Sequence, residues 1–488
     1  MKFNVLTDPW VPLEGRAEPA SFVDVIAGRA DAPGLAHPRE DFRMFARMLL
    51  SALAQALFPA RTKEELVARM RAPLSDEEVA AVVARVRDGF ELVTPKGAAF
   101  MQRDAIEYDD NATGALLLDV SETYCPWLVR HERAYGSLCG ACALLALYGF
   151  QSHAPAGGRG LSPGVRGAPP LTTLVWRPTV REMLWANTVI EPDAADRRVA
   201  SPWFGCASEK NGDAIEPVEG LFWQPRRVRY VIADEGNCPT CGAVGPRLTA
   251  TAFEAGSKRS GGYFKHPLTP YFEEGTEPQP QRLKVDRPAW TALADMLDVT
   301  SRSTVVRKKS ERAFFAAPVV QQWFEVLDNR ALSLEVFAFR LKNAKLLARF
   351  SETWTVSMQT RDRELIKDLR SAVELAEGAL AALLKRLRLA WSSRRKSKQS
   401  YWPHEARANF WQRTEGPFWE FKRAQEEGGD AGAALQRVIE AVAKSLYDQF
   451  TATAALDERH QAAVATQRKK LGDDLRHILK PTTERETR

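Results

Sequence analysis

Apolar positions recur at different periods along the chain, and the change of period divides it in two. At the start Phe3, Val5 and Trp10 alternate with polar neighbours and are interrupted by Pro9 and Pro12, which predicts a short edge strand entering a turn. Helical spacing follows over 41–57 and 63–70. Ser75, with Glu78 three residues on, forms a capping box for a further helix through Val86. Apolar runs at 171–176, 221–223 and 228–232, separated by Pro and Gly, predict strands. Residues 256–262, Gly-Ser-Lys-Arg-Ser-Gly-Gly, are too rich in Gly and Ser for a helix and predict a basic loop. The runs 334–341 and 346–350 flank Lys342, Asn343, Ala344 and Lys345 and predict a hairpin with a basic tip; the abundance of Leu, Ala and Lys leaves a helix as the other reading.

From Asp362 onward the spacing is helical. Leu365, Leu369, Val373, Ala376, Leu380, Leu383 and Leu387 recur at three and four, as do Leu435, Val438, Val442, Leu446 and Phe450. Helices are also predicted over 403–427 and 458–479, with Gly428 and Gly429 as one break. Four long amphipathic helices on short loops predict an antiparallel four-helix bundle over 359–488. Before the boundary near Met358, strands and helices follow without regular alternation, so 1–358 is expected to be an irregular α+β domain.

The 488 residues, 45% apolar and 27% charged, make an ordinary globular mix with room for more than one core. No basic-plus-apolar leader and no uncharged apolar run of about 20 residues occurs, which gives a cytoplasmic expectation. The net charge of +6 is modest, but it is local: 361–488 carry 25 Lys and Arg against 19 Asp and Glu, and the rest of the chain is balanced. Such an excess attracts phosphate backbones or serves as a solvated helical surface, and charge alone leaves both open.

Two Cys-x-x-Cys pairs stand far apart, Cys139 with Cys142 and Cys238 with Cys241. Two thiolates at this spacing grip one side of a tetrahedral ion, and two such pairs complete a four-sulfur zinc site. The other reading is four core thiols. Cys125 and Cys206 are left for core packing, and six cysteines used this way suit a reducing compartment. The first pair opens an apolar helix that leads into a loop with Gly157, Gly158, Gly160, Gly164 and Gly167. The seven histidines are scattered, and no Ser-His-Asp, Walker or paired-carboxylate motif appears. A four-thiolate zinc has no open position for activated water, so a non-catalytic protein is expected. The alternative is a zinc-containing nuclease or transferase using the glycine loop as a phosphate cradle, although the loop lacks the Gly-Lys-Ser/Thr ending of such a cradle.

Several stretches, in order, resemble the CasA large-subunit family of Cascade, the type I-E CRISPR surveillance complex. They are Leu6-Thr-Asp-Pro-Trp-Val-Pro12, Phe100-Met-Gln102, Leu138-Cys-Gly-Ala-Cys142, Gly164-Val-Arg-Gly167, Leu171-Thr-Thr173 and Gly220-Leu-Phe-Trp-Gln-Pro225. The resemblance implies a subunit that works with other Cascade subunits and CRISPR RNA. Such a subunit binds double-stranded DNA at the protospacer-adjacent motif (PAM), starts strand separation, and later docks a nuclease-helicase; guide pairing reads the rest of the target.

The resemblance assigns roles by position. Gly157, Gly158, Arg159 and Gly160 become a loop whose backbone approaches the DNA minor groove, with Arg159 departing from an all-glycine pattern. The groove-entering lysine falls at Ala255 in strict register, leaving Lys258 and Arg259, three and four residues on, to serve. Lys342, Asn343, Ala344 and Lys345 take the place of the strand-separating wedge, without its usual glutamine. Leu128, Val129, Arg130, His131 and Arg133 form the loop toward the guide-RNA handle and PAM. Arg394, Arg395, Lys396 and Lys398 would hold the displaced strand.

Overall fold

In the computed structural model, all residues are described except 1, 95–98, 103–112, 122–133, 154, 157–160, 168, 197–208, 212–214, 275–276, 285, 299–303, 308–309, 327–331, 343–344, 357–362, 392–401, 453–457 and 480–488. The chain mixes helix and sheet and forms two compact units, 1–285 with 299–356, and 286–298 with 357–488.

In chain order the first unit contains α1 (Phe22–Ile26), α2 (Glu40–Leu57), α3 (Lys63–Arg71), α4 (Asp76–Val86), β1 (Leu138–Cys139), α5 (Gly140–His153), β2 (Thr172–Trp176), α6 (Val180–Ala186), β3 (Glu209–Asn211) and α7 (Pro217–Leu221). It continues with β4 (Arg226–Asn237), β5 (Val244–Ala255), β6 (Lys258–Ser260), β7 (Tyr271–Glu274) and β8 (Glu277–Pro280). The helix α8 (Leu293–Leu297) belongs to the second unit. The first then resumes with β9 (Thr304–Arg307), β10 (Ser310–Phe315), α9 (Pro318–Val326), β11 (Leu332–Lys342) and β12 (Lys345–Val356).

Its core is built on α2 and α5. Nearly every residue of α2 is buried, and α5 is apolar on all sides, the pattern of a helix with protein all around it. The two approach so closely that a Cβ on Gly149 would lie 2.2 Å from the Phe45 ring, so this position requires glycine. Phe45 continues the contact into the sheet β12-β11-β2, meeting Phe337 edge-on at 6.1 Å. Arg47 and Glu335 pair within the same junction. A second sheet, β1-β5-β4, lies along α5, a third has the order β8-β7-β10-β9, and β3 and β6 pair in parallel.

Three expectations need correction. The opening residues make only single bridges, Asn4 with Glu91, Val11 with Ala20 and Leu13 with Leu35, because Pro9 and Pro12 cannot donate to a ladder. Residues 221–223 end a helix instead of forming a strand: Pro217 starts α7, and Gly220 faces the Phe264 ring at a separation with no room for a Cβ. The basic 256–262 segment contains strand β6, since Lys258, Arg259 and Ser260 pair with Glu209, Lys210 and Asn211. The 334–350 region is a hairpin, with Lys342 paired to Lys345 at its tip, so the helical reading falls.

In the second unit α10 (Arg363–Trp391), α11 (Trp402–Glu426), α12 (Gly432–Thr451) and α13 (Glu458–Ile478) pack on one another. Arg386 of α10 binds Asp474 of α13 through two nitrogens at 2.7 and 2.8 Å, and Tyr447 of α12 donates to the Val464 carbonyl at 2.8 Å. The earlier segment 286–298 completes this core. Trp290 is buried against Trp411 and Phe418, with ring centroids 5.5 and 4.4 Å away, and Arg370 pairs with Asp295 at 3.0 Å and Asp298 at 2.9 Å.

Candidate metal centre and nucleic-acid interface

The sheet β1-β5-β4 brings the two cysteine pairs together. Cys139 ends β1 opposite Arg247 of β5, and Cys142 lies in the first turn of α5 that follows. The hairpin of β4 and β5 carries the second pair in its connecting turn. There the Cys238 amide donates to Ala243 O at 2.8 Å and the Gly242 amide to Cys238 O at 2.9 Å. Gly242 sits at φ 78°, a conformation a glycine adopts without strain. The sequence separation between the pairs is thus absorbed by one antiparallel strand pairing.

All four sulfurs lie within 4.8 Å of one another, and Cys139 and Cys241 are 3.6 Å apart. Ideal tetrahedral zinc thiolate, with metal–sulfur bonds near 2.3 Å, spaces its sulfurs about 3.8 Å apart. The cluster therefore fits a four-coordinate ion. Cys142 and Cys238 are buried, while Cys139 and Cys241 are half-buried. Hydrogen bonds from Cys139 and Cys142 draw the Cys241 thiol down to about 7 and move Cys238 in the same direction. Cys142 is moved up by its contacts with Cys139, Cys238 and Cys241. A bound cation would replace that proton sharing with four thiolates.

Around the sulfurs are two groups the cysteine spacing did not point to. Thr240 Oγ1 lies 3.1 Å from Cys238 Sγ. His37 Nε2 lies 3.4 Å from Cys142 Sγ, and burial pushes this histidine down to about 4.

The positions expected to meet nucleic acid fare unequally. Lys258 is exposed on β6. Arg259, its neighbour, points back: it donates to Gly262 O and its guanidinium lies 5.8 Å from the centre of the Tyr263 ring. Lys342 and Lys345 close the β11–β12 hairpin, whereas Asn343 and Ala344 lie outside the described residues. Also outside them are Gly157, Gly158, Arg159 and Gly160, the loop of Leu128, Val129, Arg130, His131 and Arg133, and the run of Arg394, Arg395, Lys396 and Lys398.

The two sides of the glycine segment are tied by a residue with no motif to announce it. The buried Arg226 guanidinium donates to Ser162 O and, at 2.7 Å, to Pro155 O, and its backbone exchanges two hydrogen bonds with the Gln151 amide. Beyond the segment, Arg166 is buried with Thr269 Oγ1 at 2.9 Å and Thr172 Oγ1 at 2.7 Å. Desolvation pulls its guanidinium down to about 10.

Comparison with known proteins places this arrangement. The sequence model of the CRISPR-associated protein Cse1 matches residues 4–453. A structure of Thermus thermophilus CasA superposes with a TM-score of 0.71 at 18% identity, covering 98% of this chain and 99% of that one. Thermobifida fusca Cse1 gives 0.69 at 17% identity over 98% of each chain. A chain of a CRISPR RNA-guided surveillance complex gives 0.69 at 17% identity, covering 96% of this chain and 99% of that one. At such identities the likeness is one of fold.

Proposed function

Since the chain belongs to the CRISPR-associated Cse1 family, we propose that it is the non-catalytic large subunit of an RNA-guided surveillance complex. It recognises the PAM from the minor groove, begins strand separation and offers the docking surface for a nuclease-helicase. The observation that carries this reading is the family match over 4–453, with a fold likeness running the length of a chain from a surveillance complex. Exposed Lys258 and the Lys342–Lys345 tip supply cations at two of the positions the reading needs, and cations on strands serve phosphate contacts. Gly157, Gly158, Arg159 and Gly160 present backbone to the groove. The loop of Leu128 to Arg133 faces the guide handle, and the run of Arg394 to Lys398 holds the displaced strand.

Zinc is the ion we assign to Cys139, Cys142, Cys238 and Cys241, held as a closed four-thiolate centre. Its chemistry there is structural, pinning the β4–β5 hairpin to the start of α5. We further assign 1–358, apart from the 286–298 segment that belongs to the second unit, to the PAM-recognition domain and α10 to α13 to an antiparallel four-helix bundle. No helix among the described residues is long and apolar enough to cross a membrane.

The test is gel-shift binding of the assembled complex to PAM and non-PAM duplexes, with and without this subunit. PAM preference is expected only with the subunit present, and it is expected to be lost with Gly158→Asp. Equal capture of both duplexes by every preparation would overturn the assignment. Duplex cleavage by the isolated chain with added divalent metal would favour a zinc nuclease instead.

A further inference from the structure

We infer that His37 is a positioning residue of the metal centre, donating its Nε2 proton to the Cys142 thiolate. The inference rests on the metal reading above but names a residue outside the cysteine motifs. His37 is buried, 6% exposed. The Arg39 backbone N–H donates to His37 Nδ1 at 3.0 Å. A ring nitrogen that accepts carries no hydrogen, so the imidazole is neutral and its proton is on Nε2. That nitrogen is the one 3.4 Å from Cys142 Sγ. The tautomer also excludes Nε2 as a further metal ligand, since its in-plane orbital holds the hydrogen and its remaining electron pair belongs to the ring π system.

The surroundings hold this geometry in place. Phe42 packs on the imidazole with ring centroids 5.0 Å apart. Arg39 is fixed by carboxylates of Asp41 and Asp119, each at 2.6 Å, so the backbone donor that selects the tautomer is itself restrained. On the other side Tyr230 donates to the Ala143 carbonyl at 2.7 Å, which anchors the first turn of α5 where Cys142 resides. Cys142 is 1% exposed and out of reach of bulk water. Four thiolates around a divalent ion carry two net negative charges, and a buried charge needs donors. An imidazole N–H supplies one at a sulfur that is shut off from solvent. It draws electron density from the thiolate, and it links the residues leading into α2 to the cysteines of α5 and the β4–β5 turn.

The test uses the full chain loaded with zinc or cobalt(II). Wild type, His37→Phe and His37→Gln are compared by metal content, competition with a chromogenic chelator, and the sulfur-to-cobalt charge-transfer band. Phenylalanine keeps a ring against Phe42 but has no donor, and glutamine restores an N–H near the Nε2 position. The expected result is about tenfold weaker metal binding for His37→Phe, with a charge-transfer band moved to lower energy. His37→Gln is expected to recover most of both. Wild-type affinity and an unmoved band in a folded His37→Phe chain would overturn the role of His37 alone. Failure of wild type to bind either ion would overturn the metal reading and this inference with it. If His37→Phe does not fold, long-range proton–nitrogen correlation on zinc-loaded wild type decides. The Nε2–H tautomer supports the assignment, and the Nδ1–H tautomer refutes it.

Discussion

Gly149 and His153 show how single positions on α5 carry consequences for the whole first unit. With Phe45 in the space a Cβ would occupy, Gly149→Ala forces α2 and α5 apart or drives the ring off its rotamer. Overpacking of this kind costs about 1–3 kcal/mol, so the urea midpoint of the first unit is expected to fall; an unchanged midpoint would contradict the close crossing. His153 and His266 are fully buried, and desolvation holds both well below their ordinary value near 6.5. The folded state therefore binds fewer protons than the unfolded one once pH drops below that value. Stability is expected to be complete above pH 6.5 and to fall below it, by up to about 1.4 kcal/mol per pH unit for each histidine. His153→Asn, which retains a donor for Gly149 O, is expected to flatten this slope by about one histidine's share. Equal slopes in the two proteins, measured by urea titration between pH 7 and 5, would show that His153 does not remain neutral.

At the scale of elements, the β4–β5 hairpin is tested through its cysteines and the β11–β12 hairpin through its tip lysines. If the four cysteines hold zinc, part of the binding free energy is folding free energy of the first unit. Strong chelation, or Cys241→Ser, is expected to lower that unit's melting temperature by several degrees while leaving the helical unit's transition in place; coincident loss of both would point to another cause. For the second hairpin, Lys342→Ala with Lys345→Ala is expected to weaken binding to every duplex alike. The slope of log affinity against log salt should fall by about two if both contact phosphate, and an unchanged slope would remove the tip from the interface. These elements were legible in the sequence for definite reasons. The long helices repeat apolar residues every three or four positions, the two arms of the β11–β12 hairpin are apolar on either side of a polar tip, and the Cys-x-x-Cys spacing carries its geometry with it. What the sequence hid depends on distant partners. Strand β6 is polar and Gly-flanked, and only its pairing with β3 defines it. Short α7 is set by Pro217 and by the Phe264 ring above Gly220. His37 and Arg226 are ordinary residues in ordinary surroundings until the chain brings Cys142 to one and the carbonyls of Pro155 and Ser162 to the other.

For the whole molecule, the second unit is discontinuous in sequence, and that changes what a cut near Met358 would yield. The helices α10 to α13 carry the long-period pattern, yet their core also contains Trp290, 2% exposed, from a segment about seventy residues earlier. Removing 286–298 would uncover Trp411 and Phe418 and leave Arg370 without Asp295 and Asp298. The Asp298 side chain is wholly buried and that of Arg370 is 11% exposed, so a buried ion pair between the segment and α10 would be lost with it. Losing the packing of a buried tryptophan costs about 3–5 kcal/mol, a large share of the stability of a unit this size. A chain of 357–488 alone is therefore expected to unfold at markedly lower denaturant than the same helices with 286–298 joined through a flexible linker. Adding a free 286–298 peptide to the shorter chain should restore part of the difference in proportion to its concentration. Circular dichroism with denaturant reads both effects. If 357–488 were as stable alone as with the added segment, Trp290 and the two aspartates would be surface decoration on a self-sufficient set of helices. The boundary suggested by the change of period would then also be the physical one.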